Sequence, residues 1–356
     1  MDIADLAVPV VAAPMAGGPS TPELAAAVGE AGGLGFLGAG HLSVEQLAEQ
    51  IAQVWSLTSR PFGVNLFVPA AVNTFTDSYA VSTGSLVGSE RVRSVARYAA
   101  RLQVEAERIW VELPEPRGDD TDMWERTVDL VVRERVPVVS FTFGLPPRAV
   151  IVELRTAGIT TVATVTDVEE ARAAVAAHVD WLCVQGPGAG GHRGTLDEAK
   201  EPGSLDLVDL VRAVRAETDR PIVAAGGIGD PERAATVRAA GADAVQLGTA
   251  FLLTPEAGTA LAHRRALTDP GYSTTVATRA FTGRLARALE TDFVRAHHAE
   301  APAAFPEVSQ LTGVLRRASA QADSPDLMAL WAGTGWRSAK PVPAAVVVAE
   351  FAAALR

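Results

Sequence analysis

Between residues 8 and 251, eight short apolar runs alternate with stretches of helical period, and no other feature constrains the fold as tightly. The runs are "VPVVAAPM" (8–15), "GLGFLG" (33–38), "FGVNLF" (62–67), "PVVSFTFG" (137–144), "ITTVATV" (159–165), "WLCVQG" (181–186), "PIVAAGG" (221–227) and "AVQLGTAF" (244–251). Near-continuous apolar strands belong to parallel sheets, whose two faces are both covered by crossover helices. Helical stretches such as "PELAAAVGEAG", "VEQLAEQIAQVW", "VEEARAAVAAH" and "PERAATVRAAG" supply those crossovers. The fold class expected is α/β, a (β/α)8 TIM barrel, and the span matches the roughly 250 residues usual for one. An open doubly wound sheet fits less well, because no G-x-G-x-x-G follows the first strand.

Two segments exceed a plain barrel. Residues 1–255 are read as the barrel, carrying a helical insertion at about 71–130, and residues 256–356 as a helical extension packing on the barrel mouth. The run "RIWVEL" at 108–113 is read as a helix end, not a ninth strand.

Composition excludes several classes of function. A chain of 356 residues with 48% hydrophobic and 21% charged residues can bury a large core. A net charge of -11 argues against a broad basic face for nucleic acid or anionic lipid, while leaving room for a local positive pocket. One cysteine, Cys183, excludes an internal disulfide framework and any cysteine-based zinc or iron-sulfur site and suits a reducing, cytoplasmic setting; no His/Asp/Glu cluster at the strand ends offers three convenient ligands, so no metal is expected. The opening "MDIADL" is acidic where a signal peptide would be basic, and no stretch is apolar enough to suggest a membrane span.

In a barrel the C-terminal strand ends converge on one face, where active sites sit. Gly226 and Gly227 at the end of the seventh run, with Gly248 and Thr249 toward the end of the eighth, offer backbone N–H groups where barrels commonly hold a phosphate. Each pair alone would be a tight turn; the two together, one helix apart, point to a phosphorylated ligand. Asn65, Gln185 and Gln246 can bond a flat heterocycle or polyol without adding charge, as a flavin mononucleotide requires. After the sixth run, "CVQGPGAGGHRG" carries His192 among glycines, an expensive use of bare backbone.

These motifs, with "APMAGGPSTPELAAAVGEAGGLGFLGAG", "VSFTFGLP" and "TRAFTGRLAR", stretch from residue 13 to 287. In order and content they resemble the nitronate monooxygenase family, formerly the 2-nitropropane dioxygenases, in its larger bacterial and fungal class. The resemblance implies an FMN-dependent enzyme that oxidises alkyl nitronates, including propionate 3-nitronate, with O2 to a carbonyl compound and nitrite. It implies that Ala13, Pro14 and Met15 lie near the flavin ring and that Asn65 and Gln185 bond the ring or ribityl chain. It further implies that Gly226, Gly227, Gly248 and Thr249 receive the phosphate with Gln246 close by, and that His192 is the active-site histidine. Gly190 and Gly191 would let the backbone approach the flavin, and Thr282 and Arg284 are candidate substrate contacts.

His192 has two available jobs: general base toward a neutral nitroalkane, or cation or hydrogen-bond donor toward an ionised nitronate, and the second demands less of it. His41 is read as structural, since a helix start follows it, and Arg193 and Arg279 as further sources of local charge. No partner beyond a small-molecule nitronate and O2 is expected, with the chain a monomer or homodimer. The main rival is an FMN-dependent NAD(P)H reductase of the enoyl-ACP or quinone reductase type; a non-catalytic phosphate-binding barrel belongs to a different class again.

Overall fold

The apolar runs pair as parallel strands, and their alternation of faces decides where the site lies. A computed structural model describes residues 1–75, 88–118 and 123–355. The main strands are β1 (Val10–Ala12), β2 (Gly35–Gly38), β3 (Phe62–Phe67), β4 (Val138–Thr142), β5 (Thr160–Val165), β6 (Trp181–Gln185), β8 (Ile222–Ala225) and β9 (Ala244–Leu247). They form one eight-stranded sheet in the order β1-β9-β8-β6-β5-β4-β3-β2. Two hydrogen bonds, Ala12 N–H to the Leu34 carbonyl at 2.9 Å and Leu34 N–H to the Val10 carbonyl at 3.0 Å, bring its edges together into the barrel.

Along each strand, alternate residues face opposite sides. Val64, Phe141, Val165, Leu182, Val184, Ala224 and Val245 point outward into the layer beneath the helices. Val11, Leu34, Phe36, Val138, Val162, Trp181, Cys183 and Val223 point inward and fill the barrel. Toward the C-terminal ends the inward positions turn polar: Val138 gives way to Ser140 and Thr142, Val162 to Thr164, Trp181 and Cys183 to Gln185, and Ala244 to Gln246. The apolar end is stoppered by the N-terminus, where the Met1 amine donates to Thr160 Oγ1 at 3.0 Å and Ile3 is buried in the barrel core. The polar end is left to be a mouth.

The surrounding helices are α1 (Pro22–Glu30), α2 (Val44–Leu57), α4 (Trp124–Arg133), α5 (Arg148–Thr156), α6 (Val168–Ala176), α7 (Leu207–Arg215) and α8 (Pro231–Ala239), with α3 (Ser89–Arg108) in the insertion. Helix starts carry the caps their sequences offer: Ser43 and Gln46 form a reciprocal capping box, and Asp167 and Asp230 accept N–H groups in the first turns of α6 and α8. Helix α3 ends at Arg108 and no strand follows it in 109–118, so "RIWVEL" begins as a helix end and continues as coil. The insertion's residues 76–87 and 119–122 lie outside the described residues.

Beyond residue 255 the chain adds α9 (Leu261–Thr268), α10 (Asp292–His297), α11 (Glu307–Gln321) and α12 (Ala344–Ala352), and it is not wholly helical. Strands β10 (Thr275–Thr278) and β11 (Ala286–Leu289) form an antiparallel ribbon that takes in the two-residue β7 (Gly191–His192). Insertion and extension share a second core, with Tyr98 and Leu102 of α3 against Phe281, Phe293, Leu311 and Leu315. Helix α12 returns to the barrel wall, burying Val347, Val348 and Phe351 in the main core.

Candidate active site

His192 leaves the barrel strand behind it and is fixed from two sides. Its strand β7 pairs with β11, placing His192 opposite Ala286 and Gly191 opposite Arg287. From below, Gln185 spans the loop, donating from Nε2 to the His192 carbonyl at 3.0 Å and accepting the Gly194 N–H at Oε1 at 2.9 Å. Gln185 therefore uses its amide at both ends to hold the His192 loop, a partnership that a candidate ligand contact does not reveal in sequence.

The imidazole Nε2 lies 2.9 Å from Thr282 Oγ1, and that hydroxyl also reaches the Arg284 carbonyl at 3.3 Å. The ring is edge-on to Phe143, centroids 5.4 Å apart, and tilted against Trp331 at 5.2 Å. Burial, reinforced by the positive charges of Arg284, His41 and Arg316, pushes the His192 pKa down to about 3, so the ring is neutral at physiological pH. The cationic form considered from sequence is thereby disfavoured; a neutral donor or acceptor remains.

Arg284 is buried and, among the described residues, has no carboxylate bonded to it. Its Nη1 donates to the Thr195 carbonyl at 3.0 Å and its Nη2 to the Phe143 carbonyl at 3.4 Å, while Nε has no hydrogen-bond partner among the described residues. The guanidinium carbon stands 4.1 Å from the Phe143 ring centroid, a cation–π contact that partly compensates its desolvation. Burial lowers its pKa to about 10, which leaves it charged. Phe143 adopts a left-handed backbone (φ 77°) just beyond β4, a conformation rare for a bulky residue and one that turns its ring toward Phe67, at 4.5 Å, and Phe305, at 5.5 Å. Arg316, whose charge also acts on His192, has a buried Nε without a hydrogen-bond partner among the described residues.

Around the rest of the mouth the polar layer is largely self-satisfied. Asn65 Nδ2 donates to Ser140 Oγ and Thr142 Oγ1, both at 2.9 Å, and Gln246 Nε2 lies 3.4 Å from Cys183 Sγ. Ala13 N–H donates to the Leu247 carbonyl at 2.8 Å, and Met15 N–H to Ser20 Oγ at 2.8 Å, fixing the Ala13-Pro14-Met15 turn beside Gln246. Gly226, Gly227, Gly248 and Thr249 stand together at the ends of β8 and β9, and a Cβ on Gly248 would meet nothing closer than 3.5 Å.

A strap from the extension, residues 331–335, also closes on this corner. Thr249 Oγ1 accepts the Gly333 N–H at 3.0 Å, and the Thr334 N–H reaches the Gly188 carbonyl at 3.0 Å. A Cβ on Gly190 would stand 2.5 Å from Gly333 N, so the strap is what demands bare backbone at Gly190. Gly191 has open space around its missing Cβ and a φ of +70°. The sequence reading missed this strap, although two glycines flanking Thr334 between two tryptophans were its signal. His41 is exposed at the same mouth, 6.1 Å from the Phe67 ring, and Ser43 caps the helix that follows. Arg193 sits under the loop, bonded to the Gly186 carbonyl, and Arg279 pairs with Glu201 at 2.8 Å. Among the described residues no cluster of His, Cys, Asp or Glu could hold a metal ion, and no helix is long and apolar enough to cross a membrane.

The sequence profile described as nitronate monooxygenase matches residues 2–353. The probable nitronate monooxygenase of Staphylococcus saprophyticus is 34% identical over 330 residues, covering 91% of this chain and 88% of its own. That of Staphylococcus aureus (strain MSSA476) is 33% identical over 347 residues, 96% and 93% of the two chains. Among solved structures, the nitroalkane oxidase from Streptomyces ansochromogenes superposes with a TM-score of 0.90 at 45% identity, over 99% of this chain and 97% of that one. FabK from Thermotoga maritima is more distant, with a TM-score of 0.73 at 25% identity over 99% and 94%. A barrel with a polar mouth, a histidine strand splinted by the extension and a profile match over nearly its full length together make this chain an oxidoreductase of the nitronate monooxygenase family.

Proposed function

We propose that the protein oxidises anionic alkyl nitronates with O2 to a carbonyl compound and nitrite, using FMN held at the barrel mouth. The observation that carries this reading is the convergence of a neutral His192 bonded to Thr282 with a buried Arg284 that bonds no carboxylate among the described residues, beneath an aromatic wall. Glu198, Asp197 and Glu170 favour the charge from a distance, but the buried Nε has no hydrogen-bond partner among the described residues, and an arriving nitronate is an anion able to accept from it.

The residues present suit a flavin mononucleotide. The bare backbone at Gly248, beside Ala13 and Met15, and the turns at Gly226 and Gly227 would take a phosphate beside Thr249, and the uncharged layer of Asn65, Gln185 and Gln246 would line the ring and ribityl chain with Ala13, Pro14 and Met15. FMN, when bound, supplies the electron transfer. The chain's part is placement and charge. Turning the Thr282 hydroxyl proton onto His192 Nε2 leaves Nδ1 protonated and able to donate to a nitronate oxygen; turning it onto the Arg284 carbonyl leaves Nδ1 an acceptor, suited to a neutral nitroalkane. Arg284 offers Nε to the anion, while Phe143, Trp331 and Phe305 keep water from the reacting carbon.

The test is to release and identify the chromophore of the purified protein, then follow O2 uptake and nitrite formation with an alkyl nitronate and with propionate 3-nitronate. Turnover without nicotinamide is expected. The rival is an NAD(P)H-dependent reductase, and fast anaerobic bleaching by NADH with no nitronate turnover would establish that reading instead.

A further inference from the structure

Arg91, in the first turn of α3, belongs to the insertion and yet ties together segments that border the site. Its Nε donates to Glu307 Oε1 at 2.7 Å and its Nη2 to Glu307 Oε2 at 2.8 Å, a bidentate fork. Nη2 also donates to the Phe305 carbonyl at 2.8 Å, and Nη1 reaches the Ala303 carbonyl at 3.5 Å and bonds Glu198 Oε1. The other oxygen of Glu198 accepts the Phe305 N–H at 3.2 Å. Both backbone polar groups of Phe305 are thus held by one ionic cluster, built from the insertion, the loop after β7 and the start of α11.

What that cluster aims is the Phe305 ring. It lies 5.5 Å from Phe143, whose own ring is 5.4 Å from His192, and 5.8 Å from the Arg284 guanidinium carbon. An exposed ion pair would contribute little and position nothing. Here the side chains are 21%, 16% and 10% exposed, and the planar fork of arginine fixes direction in a way a lysine cannot.

We propose that Arg91 is a positioning residue for substrate: through Glu198 and Glu307 it sets Phe305 against Phe143 and Arg284, completing the wall that borders His192, and thereby selects compact nitronates over bulky ones. The selection part rests on the nitronate reading; the clamp itself does not. Releasing the clamp lets the wall swing, so small substrates lose their packing and large ones gain room.

Two measurements test this. In hydrogen exchange, Arg91→Met raises exchange in a peptide spanning 303–309 and leaves β5 unchanged; faster exchange throughout the barrel, or none at 303–309, overturns the clamp whatever the substrate. In kinetics, a cycle of Arg91→Met, Phe305→Ala and the double variant is read with a short and a branched nitronate. Arg91→Met should raise KM for the short nitronate about tenfold, leave kcat within a few-fold and narrow the discrimination between the two, with Arg91→Lys intermediate. The effect should vanish in the Phe305→Ala background; an effect of equal size there means that Arg91 does not act through Phe305. If the wild-type protein turns over no nitronate, the selectivity claim falls with the proposed function, and exchange alone decides the clamp.

Discussion

A Cβ on Gly190 would stand 2.5 Å from the backbone nitrogen of Gly333, although the two residues are far apart in the chain. The histidine loop and the strap from the extension meet backbone to backbone, and neither side has a flexible end that could yield. Gly190→Ala must displace the strap from Thr249 and Gly188, so a loss of about 3 kcal/mol or more is expected, with failure to retain the proposed FMN. Gly191→Ala meets no neighbour and costs only its left-handed conformation, about 1–2 kcal/mol. Thermal melts and the visible spectrum of the two purified variants check the contrast; equal losses would mean that the strap does not depend on this contact.

The His192–Thr282 pair makes a second prediction. Removing the hydroxyl as Thr282→Val frees the imidazole to choose its tautomer and rotate, lowering nitronate turnover about tenfold, worth about 1.4 kcal/mol, whereas Thr282→Ser retains most of it. His192→Asn keeps a hydrogen-bond donor and loses the base, so it should damage neutral nitroalkane turnover more than nitronate turnover. Steady-state nitrite assays with both substrate forms decide, and equal damage on the two refutes the donor role.

The barrel was legible because parallel strands leave near-continuous apolar runs, and the inward change from Val162 to Thr164 or Trp181 to Gln185 is written in the same runs. Partnerships across the mouth were not. Gln185 reads from sequence as a free amide, but its choice between a ligand and the two ends of its own loop depends on how that loop folds back. Phe143 stood in the quoted "SFTFG", yet only its left-handed backbone reveals that it carries Arg284 and borders His192. The bonds of Arg91 to Glu198 and Glu307 join residues more than a hundred positions apart, beyond the reach of any local pattern. The ribbon β10–β11 escaped notice because two strands of four residues carry little periodic signal.

Arg284 separates binding from stability. Arg284→Met removes a buried charge that bonds no carboxylate among the described residues, so the free protein should lose no more than about 1 kcal/mol of stability, the two carbonyls losing their donors while a desolvation cost disappears. KM for a nitronate should rise about 10- to 100-fold, the value of a charge-assisted hydrogen bond of about 1.5–3 kcal/mol. Steady-state kinetics beside denaturant melts of the free protein give both numbers. An unchanged KM would remove Arg284 from the substrate site.

His263 supplies a pH prediction whose sign is fixed by burial. Its ring is buried in α9, Nε2 lies 3.1 Å from the Trp331 carbonyl, and burial, against that bond and with help from Arg264, lowers its pKa to about 4. In the unfolded chain a histidine titrates near 6.5, so between about pH 6.5 and 4 the unfolded state binds a proton that the folded state refuses. The neutral ring's contribution is therefore complete above about 6.5 and lost as pH falls toward 4, at no more than about 1.4 kcal/mol per pH unit. Glu170, raised to about 6 chiefly by burial, works in the opposite direction: its contribution is present below its unfolded value of 4.5 and lost as pH rises through 6. The two overlap, so the comparison must be between proteins and not along one curve. His263→Gln keeps a donor for Trp331 and removes the titration. Denaturant unfolding at pH 7 and pH 5 should show wild type losing up to about 2 kcal/mol more than the variant, and parallel losses would show that His263 is protonated in the folded protein.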